Sequence, residues 1–325
     1  MERGPLMPNV GHPSKTRLIL AVAAVLLLVT PIPADQGKQG PVKVFILAGQ
    51  SNMEGQGKIA AVPQSNGGKG SLETLVESPA TAARFHHLVD RDGKWIVRDD
   101  VWIWYLGRKG NLTVGYGARE DRIGPELGFG VVMGDCLDSQ VLLVKVAWGG
   151  KSLAQDFRPP SSGGEVGPSY KELIRHVKDV LASLPSLFPD YDGRGYELAG
   201  FGWHQGWNDR INQAFNDEYE QNLANLIRDF RKELDVPKLP FVIAETGMSG
   251  HEERHPRALS LMRAQAAVAQ YDEFRGNVAF VGTKDFYRPP EQSPSSQSYH
   301  WNSNAETYYL IGAAMGEAMK KLCGK

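Results

Sequence analysis

Four stretches of the chain carry residue types able to support acyl transfer. Gly49-Gln50-Ser51-Asn52-Met53 follows the apolar run Val44-Phe45-Ile46-Leu47-Ala48 and presents a hydroxyl flanked by two amides. A short run of this kind closed by glycine reads as a buried strand meeting a tight turn, where an open α/β sheet exposes a side chain to ligand. Ser51 is the candidate nucleophile. A serine hydroxyl is weak in that role unless a base takes its proton and fixed donors stabilise the oxyanion that forms. The turn Trp148-Gly149-Gly150 follows a second apolar run, and its paired glycines let backbone N–H groups come close to such an oxygen. Trp203-His204-Gln205-Gly206-Trp207-Asn208-Asp209 follows a third, where Gln205 or Asn208 could add a side-chain N–H. His300, just before the last helical pattern, is the candidate general base. Gln50, Asn52, Trp148, His204 and Trp207 surround these groups as candidate substrate contacts.

These residues must be positioned by elements the sequence also predicts. Five apolar runs, at 42–48, 141–147, 198–203, 239–243 and 278–282, lack alternation, as strands covered on both faces do. Between them lie helical patterns at 170–187, 217–234 and 256–270, with a last one at 304–322. Repeated alternation of strand and helix predicts βαβ crossovers, hence a three-layer αβα sandwich around a parallel sheet of about five strands. Residues 58–122 break the rhythm and read as an insertion over the active-site edge, with small strands at 94–97 and 101–105. Trp95, Trp102, Trp104 and Tyr105 alternate there as strand residues do and could stack on sugar rings.

Thirty-six basic and 37 acidic side chains leave a net charge of -1 with no long run of either sign, which argues against a nucleic-acid partner. Arg3, Lys15 and Arg17 precede an apolar stretch at 18–29 and then Pro31-Ile32-Pro33-Ala34, the order of a secretory signal peptide. Residues 1–34 are read as that signal and 35–325 as one exported domain, with no stable membrane association after cleavage. Two cysteines, Cys136 and Cys323, are too few for a disulfide scaffold. Asn111-Leu112-Thr113 is a glycosylation sequon only in a eukaryotic host.

Taken in order, these stretches resemble the SGNH hydrolases, and within them the sialate O-acetylesterase and acetylxylan esterase group. The Gly-Gln-Ser-Asn-Met block is intact at 49–53; Gly124-Pro125-Glu126-Leu127-Gly128, Trp148-Gly149-Gly150 and His204-Gln205-Gly206 are similar to the blocks that follow it. The resemblance implies a flavodoxin-like fold and a serine esterase that removes O-acetyl groups from carbohydrate. Ser51 attacks the acetyl carbonyl; His300 accepts its proton, returns it to the departing sugar and then activates water. The amide of Ser51, the Gly149–Gly150 turn and a polar side chain, Gln205 in preference to Asn208, bind the oxyanion. No metal or organic cofactor is required.

Gln297 stands where many members place an aspartate three residues before the histidine. Loss of the acid can lower the rate by about 10⁴ where it is needed. The chain therefore uses either a Ser-His dyad or an acid from elsewhere, Asp285 or Glu245 by topology. One competing reading is a carbohydrate-binding protein with impaired catalysis on the same fold. Another is a zinc peptidase built on His251-Glu252-Glu253-Arg254-His255, although Gly250 and Pro256 oppose a helix there.

Overall fold

A computed structural model describes residues 1–5 and 40–325. Residues 1–5 are exposed and carry no regular structure; the signal-like stretch at 18–29 lies outside the described residues. A compact unit spans Lys38–Lys325. Among the described residues no helix is long and apolar enough to cross a membrane.

The main sheet has seven strands: β1 (Val42–Gly49), β2 (Arg98–Tyr105), β3 (Arg108–Leu112), β4 (Val141–Ala147), β5 (Tyr196–His204), β6 (Phe241–Ala244) and β7 (Val278–Val281). Their spatial order is β3-β2-β4-β1-β5-β6-β7. Every neighbouring pair is parallel except β2 with β3. The five expected strands, β4-β1-β5-β6-β7, take the flavodoxin-like order, so the chain reverses direction across the sheet on either side of β1.

The main helices are α1 (Ser51–Glu54), α2 (Pro125–Cys136), α3 (Pro168–Ala182), α4 (Trp207–Ile211), α5 (Tyr219–Glu233), α6 (Pro256–Val268) and α7 (Ala305–Leu322). Along β1, Val44, Ile46 and Ala48 enter the core shared with α3, α5 and α6, whereas Phe45 and Leu47 enter the core shared with α2 and α7. Burial on both faces is why β1 shows no polar alternation.

Three expectations need correction. The segment at 58–122 is not only a cover: its Arg98–Tyr105 and Arg108–Leu112 strands extend the main sheet, raising the strand count from five to seven. At 94–97 only a single bridge forms, between Trp95 and Val89. Trp102, Trp104 and Tyr105 are buried, with Trp102 stacked on Phe188 at 4.9 Å, so three of the four proposed sugar platforms belong to the core.

Helix α2 carries no amphipathic signature because both of its sides are covered. A Cβ on Gly128 would lie 2.1 Å from the Tyr309 carbonyl oxygen, and one on Gly312 would lie 1.9 Å from that of Pro125. Glycine at both positions lets α2 and α7 touch backbone to backbone.

Candidate active site

The site forms where β1, β4 and β5 end. Gly49 is obligatory there, since a Cβ would sit 2.2 Å from the His204 carbonyl oxygen. The chain then turns into α1, whose first residue is Ser51, only 9% exposed. The N–H groups opening a helix have no intrahelical acceptor, which leaves that of Ser51 available to an incoming oxygen.

The two residues flanking Ser51 were expected to meet substrate, but they are buried and cross-link the site instead. Gln50 Oε1 accepts from the Gly206 and Asn208 amides at 3.1 and 3.4 Å, and its Nε2 donates to Asn208 Oδ1 at 3.2 Å. Asn52 Nδ2 donates to the Tyr299 carbonyl at 3.0 Å, and Asn52 Oδ1 accepts from the Tyr308 hydroxyl at 2.7 Å. That hydroxyl also lies 3.2 Å from the His300 carbonyl. The residue after Ser51 therefore holds the turn that carries His300.

That turn is unusual. Trp301, Asn302 and Ser303 have φ of 50°, 54° and 58°, three consecutive side-chain-bearing residues in the left-handed region. Each costs about 1 to 3 kcal/mol and persists only where its surroundings over-determine it. Trp301 is fully buried, the Asn302 amide donates to Gln297 O, and Asn302 Nδ2 donates to Arg288 O. His300 is half-buried beside the Tyr299 ring, 4.5 Å between centroids. Burial holds the pKa of its imidazole below the ordinary histidine value.

Neither candidate acid acts on that imidazole. The Asp285 carboxylate, 85% exposed, pairs with His251 Nε2 at 2.7 Å. Glu245 is buried, accepts from the Thr283 amide at 3.0 Å and faces Lys284 Nζ at 3.4 Å. Gln297 is exposed and contributes its backbone carbonyl, which accepts from the His300 amide at 2.8 Å.

On the oxyanion side, Gly149 and Gly150 are exposed and Gly150 has φ +71°. Asn208 Nδ2 donates to the Gly150 carbonyl at 2.7 Å and keeps its second proton. Gln205 differs. Its Nε2 donates to the Lys151 carbonyl at 3.0 Å and to the Asp209 carboxylate, so neither proton is left for an oxyanion. Between the two, the geometry favours Asn208, reversing the order preferred from sequence.

His204 is completely buried, donates from Nδ1 to the Ala244 carbonyl at 3.4 Å, and is pushed down to a pKa of about 4 by burial. It cannot touch substrate. Trp148 and Trp207 are half-buried; Trp207 lies 5.6 Å from the exposed Tyr299 ring, with the Arg210 guanidinium 4.2 Å over its face, and forms an aromatic rim.

Three residues assigned no role from sequence prove central to this architecture. Asp209 is buried and accepts from the Leu153 amide at 2.8 Å and the Ala154 amide at 2.9 Å, pinning the loop after Gly150; burial raises its pKa to about 6 against these donors. Lys145, fully buried within β4, donates to Glu126 at 2.7 Å, to the Glu54 carbonyl at 2.6 Å and to the Tyr116 carbonyl at 2.7 Å. A lysine inside an apolar strand is a visible signal, because lysine is almost never fully buried unless paired. Glu54, three residues after Ser51 on α1, is half-buried and accepts from the Tyr105 hydroxyl at 3.2 Å; burial raises its pKa.

The His251–His255 segment is a short 3-10 turn, Gly250–Glu252, followed by extended chain, so the two histidines do not share a helix face. Among the described residues no cluster of three or more His, Cys, Asp or Glu is arranged to hold a metal. Cys136 and Cys323 are free thiols.

Comparison with known proteins agrees with this architecture. A protein from Arabidopsis thaliana is similar in structure, with a TM-score of 0.55 and 16% identity over 86% of this chain and 98% of its own. A carbohydrate acetylesterase from Xanthomonas citri is similar with a TM-score of 0.53 and 14% identity; the match covers 87% of this chain and 57% of that longer one. No curated protein matches the chain in sequence. Residues 41–321 match the family described as carbohydrate esterase, sialic acid-specific acetylesterase. With nearly all of the described chain inside that match, the protein belongs to the sialic acid-specific acetylesterase family and is a carboxylic ester hydrolase acting on carbohydrate.

Proposed function

We propose that the protein is a serine esterase removing O-acetyl groups from carbohydrate through an acyl-enzyme on Ser51. His300, held neutral by its burial, takes the proton of the Ser51 hydroxyl as Oγ attacks the acetyl carbonyl. The oxyanion receives the Ser51 N–H and the free proton of Asn208 Nδ2. Collapse of the tetrahedral intermediate breaks the bond to the sugar oxygen, which takes the proton from His300. Water, deprotonated by the same imidazole, then releases acetate. A sugar alkoxide is an easier leaving group than an amine, which suits a histidine with no carboxylate behind it.

The observation that carries this reading is the Asn52 clamp, which joins the helix of Ser51 to the turn of His300. The signal-like residues 18–29 support an exported enzyme meeting its glycan outside the cytoplasm. Ser51→Ala should abolish hydrolysis of a chromogenic acetyl ester while the far-UV spectrum and thermal midpoint stay in place. Unchanged turnover in that folded variant would end the serine mechanism.

A further inference from the structure

We infer that Glu54 is the specificity-determining residue of this site, a carboxylate that accepts a hydrogen bond from an uncharged acetylated sugar and turns away acetylated sugar acids. The inference rests on the proposed role of Ser51.

Glu54 and Ser51 are three residues apart on one helical turn, a spacing that puts both side chains on the same face. The gap left by the missing side chain of Gly149 shows how close they come. A single point, where a Cβ on Gly149 would stand, lies 3.1 Å from Glu54 Oε2 and 3.8 Å from Ser51 Cβ. Gly149 itself is exposed, so the space bordered by the carboxylate and the candidate nucleophile opens to solvent.

The carboxylate also retains acceptor capacity. Tyr105 takes one of its roughly four lone-pair directions, and the Gly149 N–H acts on it as well. The two cations whose charge reaches it are committed elsewhere. Lys145 directs its three protons to Glu126, the Glu54 carbonyl and the Tyr116 carbonyl. Arg108 bonds the Gly115 and Gly117 carbonyls. Across the site, Lys151 is paired with Asp156 at 3.0 Å and Arg210 with Glu253 at 3.8 Å. Lys145 thus has no proton left for a substrate carboxylate and Arg108 is held at two backbone carbonyls, whereas a sugar hydroxyl finds an acceptor waiting. A second negative charge brought within several ångströms of Glu54 would be disfavoured about tenfold.

The test compares kcat/KM for a mono-O-acetylated neutral pyranoside and a mono-O-acetylated sialic acid, at pH 8, in the full chain and in Glu54→Gln, at low and high salt. The unmodified protein should favour the neutral sugar. Glu54→Gln should raise the sialate-to-neutral ratio about tenfold, and salt should raise it in the unmodified protein but not in the variant. Should Glu54→Gln fail to fold, a sialate-to-neutral ratio of the unmodified protein that does not respond to salt overturns the inference by itself. A preference of the unmodified protein for the sialic acid ester, or a ratio indifferent to both salt and substitution, would overturn the role of Glu54 while Ser51→Ala still abolished turnover. Retention of activity by Ser51→Ala would instead overturn the esterase mechanism itself.

Discussion

The Tyr308 hydroxyl donates to Asn52 Oδ1 at 2.7 Å across 256 positions of sequence, and through it the last helix orients the turn that carries His300. Tyr308→Phe keeps the ring and leaves a buried acceptor without its donor, a loss of about 1 to 3 kcal/mol. We expect kcat to fall at least several-fold with KM little changed, because both residues are buried. Steady-state kinetics on a soluble acetyl ester would check this; a change confined to KM would contradict it.

Since Asp285 is paired with His251 and Glu245 with the Thr283 amide and Lys284, Asp285→Asn and Glu245→Gln should each leave kcat within about tenfold of the unmodified enzyme. A drop near 10⁴ for one of them would identify a third catalytic member that the resting geometry does not engage.

Lys145 and Glu126 form an ion pair with neither side chain exposed. Lys145→Met alone strands a buried carboxylate and should destabilise the fold by about 3 to 5 kcal/mol. The double change Lys145→Met with Glu126→Gln should recover a large part of that loss. Denaturant unfolding of the two variants measures the difference, and equal losses would show that the pair is not the source of the effect.

Two buried groups give stability opposing slopes with pH. His204 sits near 4 when folded and near the ordinary 6.5 when unfolded, so the unfolded chain binds more protons between those values. Its contribution is complete above pH 6.5 and is lost as pH falls toward 4, up to roughly 3 kcal/mol. Asp209, raised to about 6, behaves in the opposite sense: its folded form keeps a proton the unfolded chain releases, so that contribution is lost as pH rises from about 4 to 6. Unfolding midpoints of the unmodified protein should vary little from pH 4 to 6. In Asp209→Ala they should decline steadily with acid below 6.5. The lowered His300 value adds that kcat/KM keeps its plateau to the acid side of pH 6.5 before falling.

Much of this organisation is legible from residue types because burial writes a strong pattern. The runs around Val44, Val144, Phe201, Val242 and Phe280 lack polar alternation since helices cover both sheet faces. Helix α2 is hidden for the converse reason: Gly128, Gly130 and Gly134 are poor helix formers, retained where α7 and the sheet press close. Site residues divide similarly. Ser51 is exposed by a strand-to-turn transition that sequence reports directly. Gln50, Asn52, His204 and Gln205 are polar residues at the same strand ends that turn inward, and nothing in a residue's identity distinguishes a polar group facing substrate from one bonding a neighbouring loop. Glu54 carries no signal of its own in the sequence because its meaning depends on Gly149, nearly a hundred residues away.

On the proposed mechanism, the left-handed run at Trp301, Asn302 and Ser303 makes catalytic competence more fragile than the architecture. Such a turn is a set spring latched by its neighbours. Once heat or denaturant loosens the packing around Trp301, it relaxes and carries His300 off station while the sheet still stands. Inactivation should thus precede melting, and the protein would fall silent as a catalyst while still recognisably folded.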